Sequence, residues 1–166
     1  MDESRRKLLA EVERVAADVA AGLGLEIVAF AFHSRGRHSQ LRIDIDRPGA
    51  AGVGLADCES FSRALEGPLD AHPFFEATYE LQVSSPGIDR PIRSDADLRR
   101  NTGRAVRMEF RDADGRMVEA HGTLQGEVRP GTVRIVVPDG EMDVERSRIV
   151  MMKQHVTPSG RRRPGP

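Results

Sequence analysis

Tryptophan is absent from this 166-residue chain, tyrosine occurs once, and aromatic residues make up only 4%. A wide stacking platform for single-stranded RNA is therefore not expected, because such platforms are built from several exposed rings. Cysteine also occurs once, at Cys58, which excludes an internal disulfide and fits a reducing compartment. No apolar run approaches the roughly 18 residues that span a bilayer, so no membrane association is expected. The opening MDESRRKLLAEVERV carries charges inside its first apolar stretch and does not read as a signal peptide. A cytoplasmic protein, monomeric, is expected. Lysine is nearly missing, with Lys7 and Lys153 alone, so the positive charge is almost all arginine.

Charge itself is plentiful. It accounts for 31% of residues and nearly cancels, leaving a net −1. The balance conceals a split. Residues 1–92 hold 10 Lys+Arg and 15 Asp+Glu, whereas residues 93–166 hold 15 and 11. Halves of opposite sign give a bipolar surface suited to a mixed protein and RNA partner.

Periodicity places the elements. Residues 3–21 read as an amphipathic helix, with Leu8, Leu9, Val12, Val15, Ala16 and Val19 on one face and Gly22 and Gly24 as its stop. LEIVAFAF (25–32) is apolar on both faces, as a central strand would be. QLRIDID (40–46) alternates, with Leu41, Ile43 and Ile45 inward and Arg42, Asp44 and Asp46 on a solvated face. Residues 55–70 read as a second amphipathic helix, with Leu55, Cys58, Phe61, Ser62, Leu65 and Leu69 on its buried face, which Gly67-Pro68 is expected to end or kink before Leu69. ATYELQVS is a third strand. After Pro91 the pattern changes to a short helix started by Ser94-x-x-Asp97. Short strands follow, with turn signals about every ten residues.

The fold class read from this is α+β. Residues 1–92 form an α-β-β-α-β domain with its helices on a small mixed sheet. Residues 93–156 form an all-β SH3-like (Sm-like) small barrel behind a short leading helix. Residues 157–166, TPSGRRRPGP, form a disordered basic tail.

The stretch VSSPGIDRP carries the one unusual motif. Ser84 and Ser85 do not make a convincing nucleophile. Pro86 follows directly and has no N–H to help hold an oxyanion. Pro86-Gly87 instead reads as the centre of a type II turn, which needs φ > 0 at Gly87. Asp89 and Arg90 are adjacent in an extended segment and point opposite ways, so each needs its own partner. Together with Pro91 they read as a joint that holds the angle between two domains. Asp44-x-Asp46 has the form of a cation site, but the polar face of a half-buried strand gives the same spacing. The histidines and Cys58 lack zinc spacing, and no Walker A run exists. No catalytic residue, cofactor or metal is expected. Arg35, Arg37, Arg93, Arg99, Arg100, Arg104 and Arg107 are the candidate phosphate contacts, able to bind without reading sequence.

These residues resemble a family. VSSPGIDRPI, followed by a short polar helix and GRAVRM, resembles the bacterial ribosome maturation factor RimP family. Asp57-Cys58, Ser62-Arg63 and Leu69-Asp70 are similar to that family's second helix, and Tyr79–Val83 to the strand entering its signature. The resemblance implies an N-terminal α/β domain, a C-terminal SH3-like barrel and a non-enzymatic factor that binds the free small ribosomal subunit. It also implies that the barrel contacts a small-subunit ribosomal protein, with rRNA contact possible in addition. Pro68 departs from the continuous helix expected there. A general RNA-binding regulator outside the ribosome is the alternative reading.

Overall fold

The computed structural model describes residues 3–35, 38–75 and 78–156. The chain forms two units that meet in sequence between Pro86 and Gly87. Arg37 and the tail 157–166 lie outside the described residues, as does the side chain of Arg35.

The first unit runs α1 (Glu3–Gly22), β1 (Glu26–Arg35), β2 (His38–Asp46), α2 (Leu55–Asp70) and β3 (Tyr79–Ser84). Its sheet has the order β1-β2-β3. The β1/β2 pair is antiparallel and the β2/β3 pair parallel, so the sheet is mixed. Register explains the core. Phe30 and Val83 flank Ile43, and Phe32 and Leu81 flank Leu41, all on one face. Val12, Ala16 and Ala20 of α1 and Phe61, Leu65 and Leu69 of α2 join the same core. Leu41, Ile43 and Ile45 are fully buried, each contributing about 1.5–3 kcal/mol by leaving water.

Three expectations change here. The strand apolar on both faces, β1, lies at an edge, and β2 is central. Opposite its core face β1 places Ala29, Ala31 and His33, small or polar side chains that need no second core. Pro68 does not end α2, which continues to Asp70. A proline costs the helix one N–H bond and crowds a carbonyl one turn back. Leu65 and Leu69, both fully buried, hold the turn on either side of it. Finally, Asp44 and Asp46 are buried, at 6% and 3% exposure, although Arg42 on the same face is exposed as expected. Asp44 has a strand on each side, pairing with Ala29 of β1 and Ser84 of β3, whereas Asp46 pairs with Glu26 of β1.

The loop into α2 is fixed by charge. Asp57 accepts from the backbone N of Gly54 at 2.9 Å and from Arg47 at 2.6 Å, satisfying a free donor at the helix start. Arg47, then Gly54, hold this carboxyl below its usual range.

The second unit runs α3 (Asp95–Asn101), β4 (Ala105–Arg111), β5 (Met117–Arg129), β6 (Thr132–Val137), β7 (Gly140–Glu145), a 3-10 turn (Arg146–Arg148) and β8 (Ile149–Gln154). Its sheet is antiparallel, in the order β7-β6-β5-β4-β8. The outer strands β7 and β8 are not paired with each other, so among the described residues the sheet is open and does not close into a barrel. Val106, Met108, Leu124, Val133 and Ile135 make its core, with Ile92, Leu98 and Met152 around them. Among the described residues three α-helices and two sheets place the chain in the α+β class.

Candidate functional site

The signature is divided between the two units, and each half is tied down inside its own. Ser84 ends β3 beside Asp44 in register, and its hydroxyl donates to the Asp44 carboxylate at 2.7 Å. Arg42 donates to the same carboxylate at 3.1 Å. Asp44 is therefore occupied by a serine and an arginine, and Ser84 by an acid. Ser85 is exposed.

Gly87 has φ +79°, in the left-handed region that the sequence reading required. The Pro86-Gly87 pair itself lies in irregular backbone, and the turn falls at Ile88-Asp89 instead. A Cβ added at Gly87 meets nothing within 4 Å, so backbone conformation alone opposes substitution. Gly87→Ala is expected to lower the unfolding free energy by about 1 kcal/mol in urea titration. Unchanged stability would show that this backbone relaxes freely.

Beyond Gly87 the chain joins the second unit. Asp89, although exposed, pairs with Lys153 of β8 at 3.2 Å. Pro91 bridges to Lys153, and the N–H of Ile92 donates to Met152 O at 2.8 Å. Ile92 is 5% exposed in the second core. Arg90 is exposed.

The candidate arginines separate into different environments. Arg93 and Arg99 are exposed at either end of one short segment, just before α3 and within it. Arg100 and Arg104 are buried, at 6% and 8% exposure, so direct contact with a partner is withdrawn for both. They serve α3 instead: Arg100 donates to Asp97, and Arg104 donates to the Asn101 side chain at 3.3 Å. Arg107 is half-buried and engaged by Glu109 at 2.6 Å and Glu119 at 2.8 Å.

Around α3 the structure assembles a polar hub that spacing alone did not reveal. Ser94 caps the helix, accepting from the Asp97 backbone N at 3.1 Å, while Asp97 accepts from the Ser94 and Arg93 backbone N at 3.0 and 3.2 Å. Arg146, from the 3-10 turn, donates to the Arg93 carbonyl at 2.6 Å and pairs with Asp95. Gln154 of β8 donates to Asn101 at 2.8 Å. Contacts spanning about fifty residues of sequence thus hold the backbone that presents Arg93 and Arg99. The Ser94-x-x-Asp97 pattern was the only local signal of it.

Residues 15–89 match the family model described as the RimP N-terminal domain. The chain is 39% identical over 119 residues to the ribosome maturation factor RimP of Microcystis aeruginosa (strain NIES-843 / IAM M-2473). That match covers 72% of this chain and 76% of the relative. Among the described residues no helix is long and apolar enough to cross a membrane.

Proposed function

The chain belongs to the RimP family, and from that premise we propose that it acts in ribosome maturation as a binding factor for the free small subunit. The 39% identity to a named ribosome maturation factor, extending beyond the N-terminal domain model, carries this reading. The role is non-catalytic. The carboxylate that accepts from Ser84 is already paired with Arg42, which weakens it as a base, and Ser85 is followed by a proline that lacks an N–H; both support a binding role.

The second unit is read as an SH3-like (Sm-like) module that meets a small-subunit ribosomal protein. The β4-to-β7 meander, with β8 returning to the outer side of β4 after a 3-10 turn, supports that architecture. The exposed Arg93 and Arg99 supply phosphate or carboxylate contacts at its leading helix. Binding favours one local arrangement of the immature subunit only to the extent that affinity differs between arrangements.

A strain lacking the gene is expected to accumulate immature small subunits and precursor rRNA. Wild-type protein should reverse this, and the Arg93→Ala/Arg99→Ala double variant should do so poorly. The variant should keep its melting temperature but lose about tenfold in affinity for purified small subunits, with a shallower salt dependence. Normal subunit profiles in the deletion strain would overturn the proposal.

A further inference from the structure

The first unit carries a second surface, separate from the candidate arginines, on the strand that leads into the signature. Strand β3 lies at the edge of its sheet, with β2 as its only strand neighbour among the described residues. An edge strand presents N–H and C=O groups that no strand satisfies. Beside that edge runs α2, and between them lies an open groove of about 830 Å³. This is within the size range of peptide and ligand sites.

The groove has an apolar floor and an acidic rim. Tyr79, Leu81 and Val83 share one face of β3, and Leu55, Cys58 and Ser62 approach from α2. Leu55 is 77% exposed, the most exposed large apolar side chain described. Tyr79 closes one end, its hydroxyl donating to Asp70 at 3.0 Å. Burial, then Asp70, push this phenol up to about 12, so it remains a donor at neutral pH. The rim holds Glu59, Glu66 and Asp70 against the single base Arg63. Glu80 is exposed on the opposite face of β3.

We infer that this groove takes an extended protein segment as a fourth strand on the β3 edge, apolar at alternate positions and basic at the others. The strand period dictates the pattern. Side chains in phase with Leu81 enter the groove, and the others lie beside Glu80. The edge supplies main-chain hydrogen bonds and the rim selects positive charge. The same acids repel nucleic-acid phosphates, which favours protein over RNA as the occupant. The inference does not rest on the small-subunit reading, and no ribosome enters its test.

The probe is a capped ten-residue peptide alternating arginine and valine, titrated against the full chain with amide hydrogen exchange read at Tyr79–Ser84. Saturable binding with slowed exchange in β3 is expected. The glutamate–valine counterpart, and the arginine–valine peptide on the Glu66→Lys/Glu80→Lys variant, should each bind about tenfold more weakly. Both glutamates are exposed, so the variant should fold. Absence of saturable binding, binding without protection of β3, or equal protection of β3 by a ten-nucleotide single-stranded RNA would each overturn the inference.

Discussion

Gly122→Ala is expected to destabilise the second unit by about 3 kcal/mol, the top of the range for overpacking a tightly fitted site. Gly122 lies within β5, which pairs with β4 on one side and β6 on the other. A Cβ built there falls 2.4 Å from the carbonyl oxygen of Val136 and 3.0 Å from its carbon. The obstructing atoms are backbone, so no rotamer change relieves the clash. Relief requires β5 and β6 to separate beside the Thr123–Val136 pair, or β5 to shift against Val106 of β4. Either movement disturbs Leu124, Val133 and Ile135, all fully buried. Thermal or urea unfolding read on the second unit should show an early transition. A variant within 1 kcal/mol of wild type would mean that these strands part at little cost.

The sequence alternation at Leu41, Ile43 and Ile45 identified the core face of β2 correctly, because a period of two reports which residues share a face. It could not report what covers the other face. Asp44 and Asp46 look solvated in the sequence. They are buried although Arg42 on the same face is exposed: Arg42 and Ser84 engage Asp44, and Ser84 is brought beside it by a parallel crossover through α2. Ser94 and Asp97 were legible because a cap is local. The burial of Arg100 and Arg104 was not, since it depends on β-strands from distant parts of the sequence folding over α3. Leu55 was expected on the buried face of α2 from helical spacing, yet it borders an open groove. Spacing fixes a residue's angle on the helix but not where its neighbours end.

Asp97→Ala is expected to cost the second unit about 3 kcal/mol, because one buried carboxylate serves several donors. It accepts from the backbone N of Arg93 and Ser94 and from the Arg100 guanidinium, at 8% exposure. Burial alone pushes the carboxyl up, but the bonds from Ser94 and Arg93 and the charge of Arg100 outweigh it, so it stays below its usual range. A carboxyl depressed in the folded state contributes stability above its unfolded value, about 3.9. That contribution fades as pH falls through the lower folded value. Asp97→Asn keeps the shape and an acceptor but loses the charge. It should cost less than alanine, and its stability should fall less than wild type's on acidification below about pH 4. Equal acid sensitivity in the two proteins would remove Asp97 as the titrating group. The effect on binding should follow from position. Asp97 and Arg146 hold the backbone at Arg93 from opposite sides, one accepting from its N–H and one donating to its carbonyl. Loss of Asp97 should therefore weaken subunit binding even at temperatures where the unit is still folded. Arg93→Ala/Arg99→Ala should weaken binding with no loss of stability. Those two patterns separate a residue that positions the contact from the residues that make it.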